Sequence, residues 1–285
     1  MKHGQKKLLD WHLEDIEQRF GFKGSKYTDV NTWFAVIITV VVTGVLFIGL
    51  QFLPEGWRSS YGVEIILERG WTPYVMMIMS ILAFAILYVK SCKLRFQEKA
   101  FQIEVIPAGS AFALTSDTAH DTLRRLNSFV DDPKRFVLFN RIERALLNLR
   151  NVGNLSDVSE MLRAQAENDE SHMDSSYGLL HGIIWGIPIL GFIGTVIGLS
   201  GAIGRFGTVL NADASVSSLK EGLAPVTNNL GIAFDTTFLA LVLAMIIQLS
   251  MTILRKKEEL FFDACRDYAH VNIISRLRLR KEDVE

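Results

Sequence analysis

Long apolar runs alternate along this chain with charged, punctuated segments. A helix needs about 20 mostly apolar residues to cross a bilayer, and four stretches qualify. They run from about Thr32 to Leu53, Thr72 to Val89, Leu179 to Ile203 and Val226 to Leu254. The first two carry no charge, the third is rich in glycine, and the fourth holds a single acid, Asp235. The first run begins behind a charged segment and lacks a small-residue cleavage site, so no cleaved leader is expected.

The polar stretches also read as helical. Residues 5–20 predict one amphipathic helix with Leu8, Leu9, Leu13, Ile16 and Phe20 at helical spacing, packed on the protein's own helices or lying on the membrane surface. Pro107 and Gly109 are expected to end a helix that leaves the second span. Ser116 and Asp117 offer an N-cap for a helix near 117–130. A helix near 133–150 carries Phe136, Leu138, Phe139, Ile142, Leu146 and Leu149 on one side. Asn151 to Asn154 read as a turn, and Ser156 as the cap of a helix running straight into the third span. The expected fold is an all-α membrane protein with four transmembrane helices and a helical cytoplasmic domain. Its parts are an amphipathic N-terminal segment (1–31), two spans with a short periplasmic loop (32–90), a cytoplasmic domain (91–178), a two-span channel region (179–254) and a helical tail (255–285).

Charge sets the orientation. Of 30 lysines and arginines, 26 fall in the N-terminal segment, the middle segment and the tail, and four (Arg58, Arg69, Arg205, Lys220) in the two short loops. Positive residues mark the cytoplasmic side, so both termini and residues 91–178 are placed there. Cys92 and Cys265 then face a reducing compartment and are expected as free thiols. The mean hydropathy of +0.24 argues against a purely cytosolic enzyme, and the net charge of -1 offers nothing to a nucleic acid. No phosphate loop, paired CxxC, nucleophile elbow or metal-ligand spacing occurs, so neither catalysis nor a cofactor is implied. His181, at the mouth of the third span beside Trp185, reads as an interfacial anchor ahead of a proton relay.

Chemistry concentrates in the last two spans. Gly191, Gly194, Gly198 and Gly201 share one helical face, and small residues let helix backbones approach closely in lipid. That face fits packing inside one chain, packing in an assembly, or both. Pro188 is expected to kink or loosen its helix. Asp235 is followed by Thr236 and Thr237. An acid at membrane depth is costly and marks a functional candidate lining an ion pathway; the other reading has it near an interface or bonded internally.

Two stretches carry a resemblance. Pro188-Ile-Leu-Gly-Phe-Ile-Gly-Thr-Val-Ile-Gly198 resembles the Pro-x-Leu-Gly-x-x-Gly-Thr-Val-x-Gly helix of the MotA/TolQ/ExbB family of ion-driven membrane motor subunits. Leu230-Gly-Ile-Ala-Phe-Asp-Thr-Thr-Phe-Leu-Ala-Leu241 resembles that family's second pore helix. The order of spans and cytoplasmic segments is similar to the flagellar-stator branch, while the wording of the third span is closer to the TolQ and ExbB branch. The resemblance implies a homopentameric ring around two copies of a single-span, aspartate-bearing partner of the ExbD or MotB kind, in the bacterial inner membrane. It implies that Thr195 and Thr236 line the pore and that Thr237 matches a second threonine of some sodium-type relatives. The family's ion-carrying acid sits on the single-span partner, so Asp235 is not that acid. The expected function is ion-driven energy transduction, by proton or sodium, with a cytoplasmic protein as a further possible contact. The rival reading is a non-conducting oligomeric membrane scaffold.

Overall fold

The computed structural model describes residues 8–9, 11–52, 54, 56, 63, 65–66, 69–107, 114–148, 155–210 and 216–276. Among them the chain is all-α, apart from isolated bridge residues, of which Leu9 pairs with Val130. The helices are α1 (Trp11–Glu14), α2 (Ile16–Arg19), α3 (Thr32–Gln51), α4 (Thr72–Glu98), α5 (Ser116–Phe129), α6 (Val137–Asn148), α7 (Leu155–Ser176), α8 (Gly178–Leu210) and α9 (Val216–Asn272). The expected turn at 151–154, and Gly109, Leu149, Arg150 and Arg58, lie outside the described residues.

Four helical runs among the described residues are long and apolar enough to cross a membrane: Thr32–Gln51, Thr72–Gln102, Asp157–Phe206 and Gly222–Arg276. Their outward faces are apolar. Val40, Val45, Trp185, Phe192, Phe234 and Phe238 are each more than half exposed, as suits side chains that meet lipid tails or neighbouring helices.

The chain divides into two compact units. The first gathers residues 1–34, 88–177 and 253–285. Its core is aromatic: Trp11 lies 5.5 Å from both Phe96 and Phe136, whose rings are 5.2 Å apart. Three ion pairs are buried with it, namely Lys93–Glu17 at 2.7 Å, Lys90–Glu258 at 3.4 Å and Arg141–Asp169 at 3.2 Å. Glu258 also accepts from Tyr177 Oη at 2.5 Å and from the Thr28 hydroxyl. Buried carboxylates need such partners, because desolvation without them is expensive. Cys92 and Cys265 are free thiols.

Three expectations are corrected in this unit. Over its described residues, the stretch expected as one amphipathic helix at 5–20 is not one helix. Asp15, in an extended conformation (φ -71°, ψ 126°), separates α1 from α2. The residues turned inward are Leu9, Trp11, Asp15 and Glu17, while Leu8 and Phe20 are exposed; the aromatic cluster and the Glu17–Lys93 pair supply the anchors beside Leu9. The helix leaving the second span ends at Glu98 and passes into a 3-10 turn, Lys99–Gln102, ahead of Pro107. The helix from Leu155 does not run unbroken into the third span. It stops at Ser176, and Tyr177 forms a turn before α8 begins. The expected helix near 117–130 is present as α5. Its cap is Thr115, whose side chain accepts from the Thr118 backbone while Thr118 Oγ1 accepts from the Thr115 backbone, a reciprocal capping box.

The second unit comprises residues 35–87 and 178–252, which hold most of α3, the first part of α4, all of α8 and the first part of α9. Pro188 lies inside α8 without interrupting it, and Pro225 does the same in α9.

Candidate ion-pathway site

The contact between α8 and α9 is built by absence of side chain. A Cβ at Gly194 would stand 2.5 Å from Thr236 Oγ1, and one at Gly198 would stand 2.7 Å from the Asn229 carbonyl oxygen and 2.9 Å from the Ala233 nitrogen. Backbone cannot move aside as a flexible side chain can, so any residue larger than glycine at 198 forces the helices apart. Gly191 meets Ala240 and Thr237 in the same way, and Gly201 faces the Asn229 side chain. The glycine face is therefore occupied by a helix of the same chain.

This close approach brings three threonines together. The Thr195 and Thr237 hydroxyls are in direct contact. Thr195 Oγ1 also lies 3.1 Å from the Ala233 carbonyl and 3.2 Å from that of Gly191, and Thr237 Oγ1 lies 3.1 Å from the Gly191 carbonyl. Each hydroxyl has one proton and two lone pairs. Two protons thus serve three carbonyl contacts and one hydroxyl contact, so the pair can exchange donors without breaking apart. Both residues are half-buried. Thr236 is fully buried; its hydroxyl donates to the Ile232 carbonyl at 3.0 Å and the Ala233 carbonyl at 3.1 Å of its own helix. Thr236 and Thr237 both turn toward α8.

Asp235 faces elsewhere. Arg69 Nε lies 3.1 Å from Asp235 Oδ2, and Arg69 Nη1 donates to Asn228 Oδ1 at 2.9 Å. Asn228 and Asp235 lie seven residues apart on α9, on one helical face, and Arg69 lies along it. Both charged side chains are nearly buried, at 13% and 11% exposure. Gly70 follows Arg69 with φ +93°, a left-handed conformation that glycine adopts without strain, and α4 starts two residues later. Sequence reasoning used Arg69 only as a loop charge. The available signal was the principle that an acid in a span takes a cationic partner, and the loop between the first two spans offers two arginines. His181 is exposed on α8.

Residues 131–264 match the MotA/TolQ/ExbB proton channel family. The matched range holds α6, α7, α8 and most of α9. All of Thr195, Asp235, Thr236 and Thr237 fall within it, and Arg69 falls outside. Neither the curated proteins nor the solved structures gave a match. Four described helical runs that are long and apolar enough to cross a membrane, together with the match to a membrane channel family, make the chain a multi-pass membrane protein.

Proposed function

We propose that the chain is a pore-forming ring subunit of a complex driven by an ion-motive force. In this reading it works without catalysis or cofactor, forms a homopentamer around a dimer of a single-span, aspartate-bearing partner, and sits in the bacterial inner membrane with both termini cytoplasmic. The observation that carries the reading is the hydroxyl pair Thr195–Thr237, held between two apolar helices inside the proton channel region. Hydroxyl groups can order water or coordinate a cation in an otherwise apolar path. A charge crossing 100 mV releases about 2.3 kcal/mol, so a few ions per step can drive a mechanical change.

The test is substitution by a residue of the same shape. Thr195→Val leaves Thr237 with the Gly191 carbonyl as acceptor, and Thr236→Val keeps the bulk against Gly194. Each is expected to lower ion flux, measured in vesicles carrying the whole complex, by tenfold or more while assembly is retained. Full flux in both variants would remove the pore assignment.

One observation favours the scaffold reading. Asp235 is paired with Arg69 of the same chain at 3.1 Å. A scaffold would tolerate Asp235→Asn and both threonine substitutions without functional loss.

A further inference from the structure

An open groove of about 470 Å³ lies between α4 and α9 in the first unit. Its floor is apolar. Leu94, Leu254 and Phe261 are buried there, and the Phe101 ring stands edge-on to Phe261 at 5.8 Å. Leu260 lines the groove too, with more than half of its surface exposed. Three charged side chains complete the lining, Arg95 and Glu98 from α4 and Lys257 from α9. All three are exposed, and among the described residues none of them makes an ion pair or a side-chain hydrogen bond. Arg95 and Glu98 stand three residues apart, a spacing at which opposite charges on a helix can meet, yet they do not pair. Charged neighbours outside the groove behave differently. Lys99 pairs with Glu14, and Arg255 with Asp174 and Glu259.

The groove lies just past the apolar runs of its two helices, on the lysine- and arginine-rich side. Arg95 is six residues beyond Val89, where the second run ends, and Lys257 is three beyond Leu254, where the fourth ends. At about 1.5 Å per residue they stand about 9 Å and about 5 Å past those ends. The head-group layer of a bilayer reaches about 5–7 Å beyond the hydrocarbon, and long cationic side chains extend along apolar surface to set their charge at that level. Tyr88 on α4 and Ile253 on α9, both more than half exposed, continue the lining helices into the outward apolar face. Basic pockets between spans on this side suit phospholipid heads, because phosphate and acyl chain are met together.

We propose that the groove seats one phosphatidylethanolamine molecule, with its phosphate on Arg95 and Lys257, its ammonium on Glu98 and the upper part of an acyl chain along Leu94, Leu254 and Leu260. Two cations and one carboxylate match a head that carries both a phosphate and a charged donor. A guanidinium presents planar donors that suit phosphate oxygens. A phosphatidylglycerol head offers Glu98 only hydroxyls, and bonds from a charged donor to a carboxylate are the stronger kind. A choline head has no hydrogen to donate. The proposal rests on the chain crossing a membrane and not on the pore reading, so lipid selectivity can fail while ion flux stands.

The test is native mass spectrometry of the full-length protein released from detergent micelles and titrated with the dioleoyl forms of phosphatidylethanolamine, phosphatidylglycerol and phosphatidylcholine. Phosphatidylethanolamine is expected to saturate one site per chain, about tenfold more tightly than either of the others. Arg95→Gln and Lys257→Gln are each expected to weaken it several-fold, and Lys256→Gln, exposed but outside the groove lining, to leave it unchanged. Glu98→Gln is expected to reverse the order, lowering the affinity for phosphatidylethanolamine and raising that for phosphatidylglycerol. Soluble phosphoethanolamine, the head alone, is expected not to compete at the same concentration. All four substituted side chains are exposed, so the lipid-free melting temperature is expected to stay that of the parent. Equal affinity for the three lipids would overturn the proposal, as would phosphatidylethanolamine binding that survives Arg95→Gln and Lys257→Gln together, or competition by the head alone. Shielding of Lys257 from an amine reagent that follows protein concentration without lipid would assign the groove to a second copy of the chain and overturn it as well.

Discussion

Asp15 is a carboxyl that the fold holds at a disadvantage. It is 1% exposed and makes no side-chain bond as the N-cap of α2. Burial raises its pKa above 3.8, outweighing the lowering effect of nearby Lys93. A carboxyl with a raised folded pKa binds protons more readily when folded. Its favourable contribution is complete below the unfolded value near 4 and is lost as pH rises through the folded value. Asp15→Asn is therefore expected to raise stability at pH 7 by about 1 kcal/mol and to flatten the decline of melting temperature between mildly acidic and neutral pH. A variant that melts lower at neutral pH would show that the charge is used. The Asp235–Arg69 pair is the opposite case, since each ion is compensated. Removing one partner strands the other in a poorly solvated place at a cost of about 3 kcal/mol. Arg69→Gln and Asp235→Asn should each lower thermal stability in detergent, and the double variant should recover part of the loss. Strictly additive losses would mean the pair carries no coupling.

At the scale of elements, the informative contact is α8 on α9. Gly194→Ala and Gly198→Ala place a methyl group into Thr236 and into the α9 backbone, and each is expected to cost about 1–3 kcal/mol in thermal unfolding. Gly204 lies on the same helix with open space at its Cβ position, so Gly204→Ala should be neutral. Equal effects at all three positions would contradict the close approach. The spans themselves were legible because apolar length is a local property of the sequence, and the family resemblance was legible because it rests on contiguous wording from Pro188 to Gly198. What stayed hidden depends on rotation and on distant partners. That Thr236 and Thr237 share a neighbour follows from how α9 is turned against α8, and spacing alone left this open. That Asp235 meets Arg69 requires a loop residue to reach a helix far along the chain. The N-terminal helix misled because Leu8, Leu9, Leu13, Ile16 and Phe20 fit a helical period, yet the buried anchors are Trp11, with its two phenylalanine neighbours, and Glu17, with Lys93.

At the scale of the whole molecule, a chain with four described helical runs long and apolar enough to cross a membrane, two of them largely within the range that matches the proton channel family, leaves much apolar surface outward. Phe192, Phe234 and Phe238 are exposed on α8 and α9, the helices that carry the threonines. Lipid or other subunits must cover them, and the ring reading assigns part of that cover to identical chains and to a central partner. Native mass spectrometry of the complex, released gently from its source membrane, tests this most directly. The account expects five 32.1 kDa chains together with two copies of a smaller single-span protein bearing an intramembrane aspartate. A ring without a companion, or another copy number with unrelated proteins, would contradict it.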